Sequence, residues 1–216
     1  MRMETAMQVL IGTTNPAKRR MFEQVLNGYD ISFVTLDELN IHDEPEEMGQ
    51  NPAENAAIKA EFYGRYADFV ICNDSGLYFD VLDLDDPKQP GLHIRTPEGS
   101  RLDDDQMIDY YSRLVHSLGG KAMAYYLDGF AVKTPEGLFS YMKTREEARE
   151  GAFWMVDTPV KERRPGWPLD SLSQLLDGTP YLKSSVALKP SSNGATKKAW
   201  VRFLAGALGL EKMEEA

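Results

Sequence analysis

The chain holds a single cysteine, Cys72, among 216 residues. That excludes an intramolecular disulfide and leaves no basis for a cysteine-ligated zinc. Its three histidines, His42, His93 and His116, are scattered without ligand spacing. No apolar stretch approaches the roughly 20 residues that a bilayer-spanning helix needs. No G-x-x-x-x-G-K run marks a Walker A loop. Positive charge is scarce too: 24 Lys and Arg face 34 Asp and Glu, for a net charge of −10. That balance opposes general affinity for nucleic acid or anionic membrane, but allows a small anion held by a few local cations. The N-terminus has no apolar signal core and carries Glu4, so the expected compartment is cytoplasmic. Met7 can serve as the start, with residues 1–6 as a leader of no structural importance.

What is present fits a folded chain of one large domain, or two lobes sharing a core. Hydrophobic residues make up 42% and charged residues 27%. Residues 8–12 (QVLIG) read as a buried strand, and Pro16 as the first residue of a helix that runs to Gly28. Met21, Val25 and Leu26 share a face of that helix, with Phe22 beside them. Residues 31–35 read as a second strand and 37–51 as an acidic loop. Asn51-Pro52-Ala53-Glu54 opens a helix that reaches about Ala67. Residues 69–72 form a third strand with Cys72 buried in it. Strand, helix, strand, helix, strand predicts an α/β layer with a partly parallel sheet. Further on, 83–101 reads as an irregular loop and 103–118 as a helix. Residues 122–133 and 138–144 form a hairpin around Thr134-Pro135-Glu136-Gly137. Residues 151–156 add a strand, 158–170 a proline-rich loop, and 195–209 a terminal helix.

Five segments carry candidate chemistry. Thr13, Thr14, Asn15 and Lys18 lie between a strand and a helix N-terminus, where hydroxyl, amide and ammonium donors suit phosphate. A capped helix start accounts for the same residues. Glu46 and Glu47 precede Gly49 in the acidic loop; either would offer oxygen ligands to Mg²⁺, which favours a few carboxylates, water and phosphate oxygens. Lys59 is placed to balance their charge. Asn73-Asp74-Ser75-Gly76 interrupts the third strand: a turn explains it, and so does a carboxylate held at the end of the sheet. Asp74 there would bind metal or take a proton from water, with Ser75 donating to phosphate. Trp167 would offer a stacking face in its proline-rich loop, with Asp170 as a nearby polar contact. Lys189, Ser191 and Ser192 belong to a basic and hydroxyl-rich cluster ahead of the last helix.

In their order, T-x-N-x-x-K (Thr13 to Lys18), E-E-x-G (Glu46 to Gly49), E-N-A-x-x-K-A (Glu54 to Ala60), D-S-G-L (Asp74 to Leu77) and Pro90-Gly91 resemble the inosine triphosphate pyrophosphatase family. The likeness is good over the first 90 residues or so, weaker over 103–144, and poor beyond 158. It implies a mixed twisted sheet flanked by helices in an elongated, two-lobed fold with a central cleft, and a homodimer. It further implies hydrolysis of nucleoside triphosphates, above all ITP, dITP and XTP, to monophosphate and pyrophosphate with Mg²⁺. By position, Thr13, Asn15 and Lys18 would hold the triphosphate and Glu47 the metal. Asp74 would be the central carboxylate, and Ser75 would contact substrate. Three departures stand out. Asn73 replaces an acid that commonly precedes the D-S-G aspartate. The late F-G-[YW]-D motif is reduced to Gly166-Trp167-Pro168-Leu169-Asp170. The terminal K-x-x-x-S-H-R motif is absent, with Lys189 as a stand-in for its lysine. They leave open a nucleotide-binding protein with weak or lost catalysis, or a pyrophosphohydrolase for another nucleotide.

Overall fold

The computed structural model describes residues 7–184 and 195–211, with backbone only for 195–198. Residues 1–6, Lys189, Ser191 and Ser192 lie outside the described residues. The strands are β1 (Met7–Ile11), β2 (Ile31–Thr35), β3 (Val70–Phe79), β4 (Lys121–Thr134), β5 (Gly137–Met142), β6 (Phe153–Val156) and β7 (Ser173–Gln174). The helices are α1 (Pro16–Val25), α2 (Pro52–Tyr63), α3 (Asp104–Ser117), α4 (Arg145–Arg149) and α5 (Ala195–Ala207). Short 3-10 turns occupy Pro168–Ser171 and Tyr181–Lys183. The sheet is mixed, in the order β2-β1-β3-β4-β6-β7, with β5 also paired to β4. No described helix is long and apolar enough to cross a membrane.

The chain forms two compact units. The first takes in the described residues through Asp74, Asp128–Lys143 and α5; the second takes in Ser75–Leu127 and the described residues from Thr144 to 184. In the first, β1 runs parallel to β2 (Val9 opposite Phe33) and to β3 (Ile11 opposite Ile71). Helices on both faces require residues of both parities to be apolar, and they are. Leu10, Val70, Cys72 and Ala131 pack on Ala56, Ala60 and Tyr63 of α2. Val9, Ile11, Ile71, Phe130 and Val132 pack on Phe22 and Leu26 of the α1 segment and on Trp200 and Leu204 of α5. Cys72 is fully buried, and burial pushes its thiol up to about 12.

The second unit is antiparallel: β4 pairs β6 (Ala122 opposite Met155) and β6 pairs β7. Leu77, Phe79, Phe153 and Met155 pack against Met107, Tyr111 and Val115 of α3. Asp103 and Gln106 close a capping box at the start of that helix.

Two expectations are corrected. The helix opened by Pro52 stops at Tyr63, with Gly64 at its cap, rather than near Ala67. More consequentially, the third strand does not end at Cys72. It continues through Asn73-Asp74-Ser75-Gly76 to Phe79, so Asp74 sits in mid-strand and not at the sheet's end, and the polar quartet is no turn. Within the quartet, the side chain of Asp74 finds its partners on other elements, α2 and α1. Gly76 serves close approach: a Cβ there would lie 3.0 Å from the carbonyl oxygen of Gly91, across the Leu77–Gly91 bridge.

Candidate active site

Strand alternation turns Cys72 and Asp74 toward α2, and Ile71 and Asn73 toward the opposite face. On the α2 face, Asp74 is enclosed by three side chains. Asn55 Nδ2 donates to its Oδ2 at 3.1 Å, and Lys59 Nζ donates to its Oδ1 at 3.2 Å. Lys18 Nζ stands 3.8 Å from the same Oδ1 and donates to the backbone carbonyl of Asn73 at 3.3 Å. Asn55 and Lys59 are four residues apart, hence on one face of α2.

α2 can come so near because Gly129 on β4 has no side chain: a Cβ there would fall 2.1 Å from the backbone nitrogen of Ala53. The helix is started by Asn51, whose side chain accepts from Glu54 N–H at 3.0 Å. Glu54 itself caps its own helix start, accepting from Gln50 N–H and Asn51 Nδ2.

The acidic loop is tied to the same place. Asn55 Oδ1 accepts from Gly49 N–H at 2.8 Å while its amide nitrogen holds Asp74, so one side chain bridges loop and strand. Gly49 has to be glycine, since a Cβ would meet Asn55 Oδ1 at 2.6 Å. Of the two loop acids, it is Glu47 whose carboxylate reaches Lys59 Nζ, at 2.9 Å. Glu47 and Asp74 thus converge on one ammonium. The side chain of Asp74 is 13% exposed, those of Lys59 and Lys18 14% and 24%.

At this burial the charges govern one another. Burial lowers the pKa of Lys18, and Lys59 lowers it further, against Asp74, Asp128 and Glu47. For Lys59 burial also pulls downward, but Asp74 and Glu47 prevail and the net shift is upward. Beyond them Lys143 Nζ sits 2.6 Å from Asp128 Oδ2. Asn73 is 3% exposed, and its Oδ1 has no hydrogen-bond partner among the described residues.

In the β1–α1 loop, Asn15 Oδ1 accepts from the N–H groups of Ala17 (2.8 Å) and Lys18 (3.4 Å), and Thr13 Oγ1 accepts from Asn15 N–H. Thr13, Thr14 and Asn15 line a hollow of about 360 Å³, open solvent included, together with Pro16, Arg19, Thr35, Leu36 and Asp37. The first unit thus brings Lys18, Glu47 and Asp74 together, whereas Thr13, Thr14 and Asn15 line a hollow whose walls include none of those three.

Ser75 follows Asp74 in β3 and begins the second unit, which also holds Trp167 and Asp170. Trp167 is 46% exposed. Asp170 is 9% exposed, and its Oδ2 accepts from Arg164 Nη1 at 2.7 Å. The expectation of Asp170 as a polar contact for a base thus meets a carboxylate already engaged in holding its own loop. Sequence reasoning passed over Asn55; its signal was the spacing to Lys59 on a helix face that also buries Ala56 and Ala60.

Among the described residues no group of three or more His, Cys, Asp or Glu side chains converges as a ready metal cage. Glu47 and Asp74 do fit a hard cation that takes two carboxylates and completes its shell with water and phosphate oxygens, since both already point at one positive centre.

The fold belongs to a class with solved members. It covers 94% of this chain and 98% of the Ham1 protein of Staphylococcus aureus (TM-score 0.66, 20% identity). Coverage is the same for a HAM1 protein of Coxiella burnetii (TM-score 0.68, 17% identity). The sequence profile of the Ham1 family matches residues 9–144, and the chain belongs to that family. A dITP/XTP pyrophosphatase of Bacillus cereus is 31% identical over 137 residues, which is 62% of this chain and 65% of that relative. One from Bacillus subtilis is 34% identical over 105 residues, 47% of this chain and 50% of the relative. The chain thus aligns with 65% and 50% of the length of these two relatives, and the family profile stops at residue 144, ahead of the late motifs.

Proposed function

We propose that this chain hydrolyses nucleoside triphosphates to the monophosphate and pyrophosphate, with deaminated purines such as ITP, dITP and XTP as substrates. The observation that carries this is the buried convergence of Lys18, Lys59, Asn55 and Glu47 on Asp74. The names of the relatives support the substrate class.

Lys18 would hold phosphate oxygens at the head of α1, where the helix N-terminus adds to its charge. When bound, Mg²⁺ held by Glu47 and Asp74 would neutralise the charge on the phosphates. Asn55 and Lys59 fix the carboxylate of Asp74, so it meets a water in one orientation. Asp74 then takes the water's proton as its oxygen bonds to the α-phosphorus. The bond from that phosphorus to the bridging oxygen breaks, and pyrophosphate leaves with that oxygen. Homodimeric assembly and a cytoplasmic location belong to the same proposal.

The test is a panel of nucleoside triphosphates with and without Mg²⁺, with pyrophosphate resolved from orthophosphate. Metal-dependent pyrophosphate release, largest for ITP, dITP or XTP, is expected; orthophosphate as the product would refute cleavage after the α-phosphorus. A second reading, binding with weak or lost turnover, is favoured by Asn73, a neutral residue next to Asp74 in the chain. Calorimetric binding of ITP without product would establish it.

A further inference from the structure

Past the end of α1 the chain reads Leu26-Asn27-Gly28-Tyr29. Leu26 is 1% exposed in the core, and Tyr29 packs against the same cluster. Tyr29 N–H donates to the Leu26 carbonyl at 3.3 Å, which closes a turn over the two residues between them. Gly28 takes φ +91°, a conformation that favours glycine. A Cβ on it would meet no atom within 4 Å. Asn27 and Gly28 are both exposed. Neither the Asn27 amide nor the Gly28 N–H has a hydrogen-bond partner among the described residues.

An asparagine side chain and the backbone nitrogen of the next residue can close a five-membered ring. That nitrogen must carry a hydrogen and be free of hydrogen bonds, and the residue that bears it must leave room. Each other described asparagine misses a condition. Asn15 and Asn51 precede Pro16 and Pro52, whose nitrogens carry no hydrogen, and both side chains cap helices. Asn55 and Asn73 are 3% exposed, inside α2 and β3. Asn40 precedes the β-branched Ile41, whose N–H donates to the Leu36 carbonyl at 2.9 Å. Asn27 alone among them has a free nitrogen and an uncrowded glycine after it. The sequence has a second Asn-Gly, Asn193-Gly194, which lies outside the described residues.

We propose that Asn27 is a self-modifying site, which cyclises on Gly28 to a succinimide and opens to aspartate or isoaspartate. The Gly28 nitrogen attacks Cγ of Asn27. The N–Cγ bond forms, the Cγ–Nδ2 bond breaks, and the hydrogen lost from the Gly28 nitrogen leaves with Nδ2 as ammonia. Water then opens the ring at either carbonyl: its oxygen stays on that carbon as a carboxyl group, and the ring nitrogen regains a hydrogen. Each event adds a negative charge just beyond the last turn of α1, the helix end that disfavours one. Isoaspartate also lengthens the main chain between Leu26 and Tyr29 by one carbon. None of this depends on the function proposed above.

The experiment incubates the folded full chain at neutral and at mildly alkaline pH, with digestion and mass spectrometry at intervals. An acid at position 27 is expected, located by fragmentation and so separated from position 193. It should form as both aspartate and isoaspartate, the latter read by enzymatic methylation of isoaspartyl carboxylates. It should form severalfold faster at the higher pH, where the Gly28 nitrogen is more readily deprotonated. Asn27→Gln, which needs a larger ring, should stay unmodified at that position. Gly28→Ala, checked for folding by thermal melt, should react severalfold more slowly, because its methyl group crowds the attacking nitrogen. Any of four results overturns the proposal. The first is no acid at position 27 in the folded chain once the urea-unfolded chain has gained one there. The second is faster reaction at Asn40, Asn55 or Asn73 in the folded chain. The third is aspartate without isoaspartate, the mark of direct hydrolysis rather than ring closure. The fourth is an unchanged rate in Gly28→Ala.

Discussion

The two units use charge in opposite ways. In the first, Lys18, Lys59 and Asp74 are largely withdrawn from water and meet at a single carboxylate. In the second, Arg149 pairs with Asp80 and Arg95 with Asp104 closer to solvent, and these pairs join separate elements. Buried charges that converge cost desolvation, and a fold keeps them where they do something besides hold it together. Exposed pairs cost little and contribute little energy, but they choose among loop conformations. On the function proposed above, the contrast puts the chemistry in the first unit.

The largest effect tests that assignment directly. Asp74→Ala should lower the rate of pyrophosphate release by on the order of 10³-fold. Asp80→Ala, which removes the best-connected surface carboxylate of the second unit, should leave it within about twofold, the scale of change for a residue remote from the reacting atoms. Equal losses in the two variants would erase the distinction between the units.

The next concerns what lets the buried charges meet. Gly129→Ala should destabilise the chain by about 3 kcal/mol in denaturant unfolding, because its Cβ would overlap the first turn of α2. Gly166→Ala meets no atom within 4 Å and is limited to the strain of its positive φ, about 1 kcal/mol. A small effect at Gly129 would mean that α2 is free to shift, and that Asn55 and Lys59 are not held where the site requires them.

Much of this was legible in the sequence, and the exceptions share a cause. Apolar spacing gave away α1 and α3, because each buries a face whose period is local, and the turn residues Thr134-Pro135-Glu136-Gly137 gave away the hairpin. The E-E-x-G and E-N-A-x-x-K segments flagged the residues that meet at Asp74. What stayed hidden depends on partners distant in the chain. Nothing near Asn73-Asp74-Ser75-Gly76 says that a strand continues through it; the amide and ammonium that satisfy Asp74 come from α2 and α1. The boundary between the units falls within β3 and β4, where composition does not change. α4 is too short to show a period, although Thr144 and Glu147 form its capping box. Asp170 looked available because its partner Arg164 lies across a loop that only the fold closes.

A smaller effect sharpens the contrast in pair energies. A double-mutant cycle between Lys59→Met and Asp74→Asn should give a coupling of about 2 kcal/mol, the scale of a hydrogen bond to a charged group in a sheltered place. The cycle between Arg149→Met and Asp80→Asn should give no measurable coupling, since solvent screens that pair. Comparable couplings would show that burial does not separate the two kinds of ion pair.

The last prediction is a pH dependence, and its sign follows from the two lysines. Burial disfavours the charged form of Lys18, so its folded pKa lies below the ordinary 10.5. Its protonated form therefore weighs against folding, and stability gains as pH rises through that folded value. Lys59 is the reverse: its pKa is raised by Asp74 and Glu47 against the pull of burial, so its contribution to stability is present below 10.5 and lost as pH rises through the folded value. Activity that requires a charged Lys18 should then fall on an alkaline limb that begins below 10.5, while Lys59 still holds Asp74 and the fold is intact by circular dichroism. Lys18→Arg keeps a positive charge at every accessible pH, so this limb should move upward or vanish even if the rate is reduced. A limb that stays in place in Lys18→Arg would mean that another group titrates, and that Lys18 is held at Asn73 and Asp74 for structure rather than for phosphate.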